Sequence, residues 1–167
     1  MRTSFIYTLM GSALMIAGCD NGFVDLDGSV NGNKVTGSAF WGGPHILFTD
    51  SDLSCDELDW IKLNYGTSDR VSLATSESFA ALQVTFRSTD IVDGQSSITA
   101  TSPPANSWFL ESDDGDAVIT TAKSGMVDVE FDGDWLVGSI EVDFGEAGDI
   151  AGDFEIKKCV NLKSIED

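Results

Sequence analysis

The sequence predicts an all-β domain, an antiparallel β-sandwich or jelly roll of about ten strands with at most one short helix, and a closed β-barrel as the alternative arrangement. Three observations carry this. Gly, Asp, Asn and Ser recur at short intervals and leave β-branched and aromatic runs between them. In the last third of the chain apolar and acidic residues alternate, which is the period of a half-buried strand. A helical signal is confined to one or two turns around Ser54 to Trp60, where Ser54 and Glu57 have capping-box spacing.

The chain begins with a segment that is not part of that domain. Met1-Arg2 gives a small positive start, Phe5 to Ile16 an apolar core, and Ala17-Gly18 the small residues a signal peptidase needs, so residues 1–18 have signal-peptide layout. A spanning helix needs roughly 20 apolar residues. This run is shorter, is interrupted by Thr8, Gly11 and Ser12, and meets Asp20 at once. The four residues Ile16-Ala17-Gly18-Cys19 resemble the bacterial lipobox. That resemblance implies a lipid on the Cys19 thiol, cleavage before it and acylation of the new amine, hence a lipoprotein of the bacterial cell envelope. Two or more acyl chains hold a protein at a bilayer, each buried CH₂ contributing ~0.8 kcal/mol. Asp20 resembles the inner-membrane retention residue of some lipoproteins. It serves equally well as the first residue of a polar tether, so inner and outer membrane both stay open.

With Cys19 given to lipid, Cys55 and Cys159 remain as an even pair in an exported, oxidising setting, and a disulfide between them is expected. It would close a loop of about a hundred residues, worth ~4.7 kcal/mol in the chain-entropy model. Two buried thiols or a metal pair are the competing readings, although no CxxC or HExxH spacing is present.

The formal net charge is −19, and removing residues 1–18 takes away only Arg2 among charged groups. Nine Lys and Arg in the whole chain exclude nucleic-acid binding as an expectation, because phosphates must be met by cations. Such acidity also keeps a domain soluble without stating a function.

A tether over residues 19–22 leads to a single domain over residues 23–167. Asn31-Gly32-Asn33 and Asp93-Gly94 read as turns. Strands are expected over Lys34 to Trp41, Ile46 to Thr49, Trp60 to Tyr65, Arg70 to Thr75, Ala81 to Arg87, Ser96 to Ala100 and Ala117 to Ala122. A meander then closes the chain. Val127, Val129 and Phe131 alternate with Asp128 and Glu130, and Asp132-Gly133-Asp134 forms a tight turn. Gly138, Ile140, Val142 and Phe144 then alternate with Ser139, Glu141 and Asp143, and Ile150, Gly152, Phe154 and Ile156 with Asp153, Glu155 and Lys157. The sheet so made is apolar on one face and acidic on the other. Taken together, LFTDSDLSCDELDW, VEFDGDWLVGSIEVDF and GDFEIKKC look similar to small β-rich bacterial lipoproteins of unknown function, a resemblance that carries no catalytic residue across.

Candidate chemistry is sparse. His45, the only histidine, follows Gly42-Gly43-Pro44 and reads as a surface loop residue, and no GxSxG elbow or glycine-rich phosphate loop accompanies it. Paired carboxylates arise by chance among 28 acidic residues, so glycoside hydrolysis is not expected. Calcium is the more physical use of clustered acids, since it takes 6 to 8 oxygen ligands at ~2.4 Å. The candidates are Asp50, Asp52 and Asp56, with Glu57 and Asp59 beside them, then Asp113, Asp114 and Asp116, then Asp132 and Asp134. The first group fails as an EF-hand, because Cys55 replaces the turn glycine and Ile61 the bidentate glutamate. Strand parity puts Trp60 and Trp135 on polar faces, where an exposed indole holds sugar rings or partner side chains. The expectation is therefore a membrane-anchored envelope lipoprotein that binds or scaffolds, with an envelope protein or a glycan as partner. A carbohydrate-binding or surface-recognition module and a calcium-stabilised module are the alternatives.

Overall fold

The closing meander forms as its alternation requires. In the computed structural model, which describes residues 22–51, 79–100, 104–113 and 116–159, three strands run antiparallel at the end of the chain: β8 (Ser124–Asp132), β9 (Trp135–Asp143) and β10 (Gly148–Lys157). Before them come β1 (Gly22–Val30), β2 (Ala39–Gly42), β3 (His45–Thr49), β4 (Phe79–Phe86), β5 (Gly94–Thr99), β6 (Ala105–Asp113) and β7 (Asp116–Thr121). The expected strands Trp60 to Tyr65 and Arg70 to Thr75 and the helix around Ser54 lie outside the described residues.

All ten strands belong to one sheet in the order β1-β10-β9-β8-β5-β6-β4-β3-β2, with β7 paired to β6. The sheet is mixed: β5 and β6 meet in parallel at Ile98 and Ala105, and the other strand pairs are antiparallel. It curls until its ends almost meet. Trp41 of β2 forms a parallel bridge with Lys158 just past β10, and the Cys159 N–H donates to the Trp41 carbonyl at 2.8 Å. The fold is thus all-β and barrel-like. One corner is sharp: the Ala122 N–H still bonds to Ser107 of β6, while the Lys123 N–H already bonds to Asp143 of β9. Strands that change partners in this way make the corners of curled sheets.

The interior is filled by side chains, as it is in barrels of this size. Val127, Val129, Leu136, Ile140, Val142, Ile150, Phe154 and Ile156 all point inward from the meander and are buried. They meet Ile46, Phe48, Leu82, Val84 and Phe109 from the opposite wall. Phe48 and Phe154 touch edge to face at 5.3 Å between centroids, and Phe109 and Phe144 at 6.1 Å. Gly138 stands inward between Val129 and Phe154. A Cβ there would lie 3.0 Å from the Phe154 ring and 2.2 Å from the Asp128 carbonyl oxygen, so glycine makes room for the aromatic core.

Two strands were not expected from the sequence. In β1 the pattern Val24, Leu26, Val30 inward and Phe23, Asp25, Asp27 outward is a true alternation. It is obscured because Asp27-Gly28 looks like a turn. In β6 the run Trp108-Phe109-Leu110 does not alternate, since Phe109 and Leu110 are buried on opposite faces. Leu110, Phe40, Leu47 and Ala81 are buried on the far side of β2, β3, β4 and β6 from the barrel interior. The strand expected from Lys34 begins only at Ala39. Before it, backbone bonds still join Gly37 and Ser38 to Thr49 and Ser51, and the Thr49 hydroxyl adds bonds to the carbonyls of Ser38 at 3.0 Å and Ser51 at 2.8 Å. The turn at Asn31-Gly32 forms with positive φ at both residues, 51° and 89°, the type I′ geometry that Asn-Gly favours.

Candidate functional site

The outer face of β1, β10, β9 and β8 is built from cross-strand rungs. Register places Phe23, Glu155, Val137 and Glu130 side by side on one rung, and Asp25, Asp153, Ser139 and Asp128 on the next. Alternation puts apolar residues inward, so the carboxylates have only the outer face to occupy. Between the rungs lies a shallow depression of about 490 Å³, lined by Phe23 and Val137 together with Asp128, Glu130, Asp153 and Glu155. Phe23 is 54% exposed and Val137 39%. No lysine or arginine lines it.

The spacing decides what this surface can hold. Asp128 and Asp153, like Glu130 and Glu155, sit on strands separated by β9, so their backbones are roughly 10 Å apart. A calcium ion needs its oxygens at ~2.4 Å. Among the described residues no group of three or more His, Cys, Asp or Glu side chains is arranged to hold a metal. The face instead suits an organic cation with apolar neighbours, whose methylenes cover Phe23 and Val137 while its charges meet the rim.

Trp135 shares this outer face, as parity predicts, and is half-buried. It stands opposite Asp132 on β8 and Lys157 on β10. The Lys157 ammonium lies over its ring, 5.8 Å from the centroid, so one face of the indole is taken by a cation. Asp132 and Asp134 flank the β8–β9 turn and are exposed. Asp113 and Asp116 are backbone register partners in the β6–β7 ladder. Asp50 is half-buried beside β3, and burial raises its carboxyl above the ordinary 3.8, partly offset by hydrogen bonds from the Ser51 hydroxyl and from backbone N–H groups. Cys159 is buried at the end of β10. Cys19, Asp52, Cys55, Asp56, Trp60 and Asp114 lie outside the described residues.

His45 departs from its expected place. It is the first residue of β3 and half-buried, because Gly43-Pro44 forms the two-residue turn and the strand starts immediately after it. Its Nδ1 is 2.8 Å from the Thr85 hydroxyl, and the Gln83 amide nitrogen donates to the same hydroxyl at 3.0 Å. Gln83 Nε2 also lies 3.4 Å from Nδ1. Which of Nδ1 and the Thr85 hydroxyl donates follows from the tautomer of the ring. Burial lowers the pKa of the ring below 6.5, which agrees with a neutral imidazole. Among the described residues the ring's hydrogen-bond partners are the Thr85 hydroxyl and the Gln83 amide, and no carboxylate is hydrogen-bonded to it.

Sequence reasoning overlooked Phe23, Val137 and the Gln83–Thr85 pair. A lone aromatic opening the acidic alternation FVDLD was a usable signal for Phe23. The others depend on cross-strand register, which one sequence does not display. Comparison with protein-family models, with curated proteins and with solved structures finds no match.

Proposed function

We propose that this protein is a lipid-anchored component of the bacterial cell envelope whose barrel binds a cationic protein partner and does not catalyse. Lipidation at Cys19 and a Cys55–Cys159 disulfide belong to the same reading. They rest on the Ile16-Ala17-Gly18-Cys19 motif and on the even cysteine pair that remains. The observation that carries the binding role is the depression over β1, β10, β9 and β8, where exposed Phe23 and Val137 are ringed by four carboxylates and no cation. A charged rim of one sign around apolar contacts steers a partner of opposite sign and rejects a like one. A second copy of this chain would bring acid against acid. The barrel is apolar inside and acidic outside on this face, opposite to a barrel embedded in lipid.

The test uses the soluble domain from residue 20 and a short peptide of alternating Lys and Leu as probe. Fluorescence anisotropy should show salt-sensitive binding that Glu130→Gln with Glu155→Gln weakens at least tenfold. Asp90→Asn with Glu146→Gln removes the same charge from exposed sites elsewhere and should change it little. Equal weakening by both pairs would reduce the interaction to net charge and remove the site. For the anchor, Cys19→Ser should abolish fatty-acid labelling and membrane retention, and persistent labelling would reject it.

A further inference from the structure

We propose that the end of the barrel where β1 begins is a lipid-contacting surface, with Trp135, Lys157 and Lys158 seated in the headgroup layer. This rests on the lipidation of Cys19 and adds to it a fixed orientation of the barrel on the bilayer.

Chain length limits how far the barrel can stand from the bilayer. Only Asp20 and Asn21 separate Cys19 from Gly22, the first residue of β1. Three residue steps span at most ~11 Å even when fully extended. Gly22 is paired with Ile156. The next residue of β10, Lys157, is paired with Trp135. Trp135 is therefore two strands away from the start of β1, a lateral distance of about 10 Å. The headgroup zone is roughly 5 to 8 Å deep on each side of a bilayer. A tether this short keeps that end of the barrel within reach of the headgroups.

The residues at that end have the chemistry of such a zone. A half-buried indole presents an apolar body with one polar N–H, and tryptophan favours the membrane–water boundary for that reason. Lys157 and Lys158 are both exposed. Each lays its ammonium over a tryptophan ring, Lys157 on Trp135 at 5.8 Å and Lys158 on Trp41 at 5.1 Å. Long lysine stems rest on apolar surface and carry their charge outward, where lipid phosphates lie. In a chain with nine Lys and Arg against 28 Asp and Glu, two consecutive lysines here are a local departure from the overall charge. Asp132 and Asp134 on the neighbouring turn offset them. The surface therefore matches headgroups that carry both phosphate and amine, and it does not require anionic lipid. The tether supplies the affinity and the surface supplies the orientation.

The test uses the full lipidated protein, its acyl chains verified by mass, in phosphatidylethanolamine vesicles whose acyl chains are brominated near the glycerol. Tryptophan emission should be quenched, and Trp135→Phe should remove at least half of the quenched fraction. Lys157→Glu with Lys158→Glu, which keeps the indole, should also reduce it by lifting the surface from the phosphates. Adding phosphatidylglycerol should change the result little. An undiminished quenched fraction in Trp135→Phe, or no quenching of the acylated protein, overturns the surface while leaving the anchor intact. A purified full-length protein without acyl mass overturns both.

Discussion

Asn33 donates a hydrogen bond of 2.5 Å to Glu111 across the end of the barrel, from Nδ2 to Oε1. Asn31 donates to the other oxygen of the same carboxylate at 2.7 Å. The type I′ turn after β1 is thereby fastened to β6, a strand far from β1 in the sheet order. Hydrogen bonds to a charged group contribute more than neutral ones, although exposure reduces the gain. Glu111→Ala should therefore lower stability by about 1 kcal/mol, and Glu111→Gln, which keeps one acceptor, by less. Urea unfolding with an unchanged slope measures this. An unshifted midpoint would mean that water satisfies these groups equally well.

Acidification should expose the neutral state of His45. Burial lowers its pKa below 6.5 in the folded chain, so the unfolded chain binds more protons in the window just below that value. Its contribution to stability is complete above pH 6.5 and is lost as pH falls through the folded pKa. Asp50 works in the opposite sense. Its folded pKa lies above 3.8, so its contribution is present at low pH and is lost as pH rises through that higher value. Unfolding midpoints for His45→Asn between pH 5 and 7 should be flatter than those of the parent chain. An equal slope in both would assign the dependence to other groups.

Core and surface phenylalanines should separate cleanly. Phe154 is fully buried against Phe48, and Phe154→Ala should cost about 3 to 5 kcal/mol through lost burial and the cavity left behind. Phe23→Ala removes an exposed ring and should stay within about 0.5 kcal/mol. Denaturant midpoints of the two variants decide this. A large loss at Phe23 would show that the ring packs on the sheet and is not available to a partner.

Thiol titration addresses the cysteine pair. A soluble domain lacking Cys19, denatured without reductant, should react with no thiol reagent. Two reactive groups would remove the Cys55–Cys159 bridge.

Much of the barrel was readable because a strand with one wet face must alternate. Val127 to Phe131, Gly138 to Phe144 and Ile150 to Ile156 face inward as their two-residue period requires. The period fails where both faces are covered, and Trp108-Phe109-Leu110 then carries no parity. Curvature was also hidden. Whether a row of strands remains two layers or closes depends on contacts such as Trp41 with Lys158, made between residues far apart in sequence. The same reasoning holds for the site: Trp135 was visible as a single outward residue, whereas the rung Phe23, Glu155, Val137 and Glu130 exists only once four strands are in register. His45 was misplaced for a local reason, since Gly43-Pro44 completes the turn in two residues and leaves the histidine already in the ladder.

The antiparallel register of β1 with β10 has a mechanical consequence. A tether pulling on Gly22 along the strand axis loads the nine rungs from Gly22↔Ile156 to Val30↔Gly148 together, in shear. A pull across the axis would open them singly, like a zip. Under the proposed attachment at this strand end, the combined strength of the ladder would resist a pull on the anchor, and the clamp of Glu111 on Asn31 and Asn33 would hold the far end of the same strand against slippage.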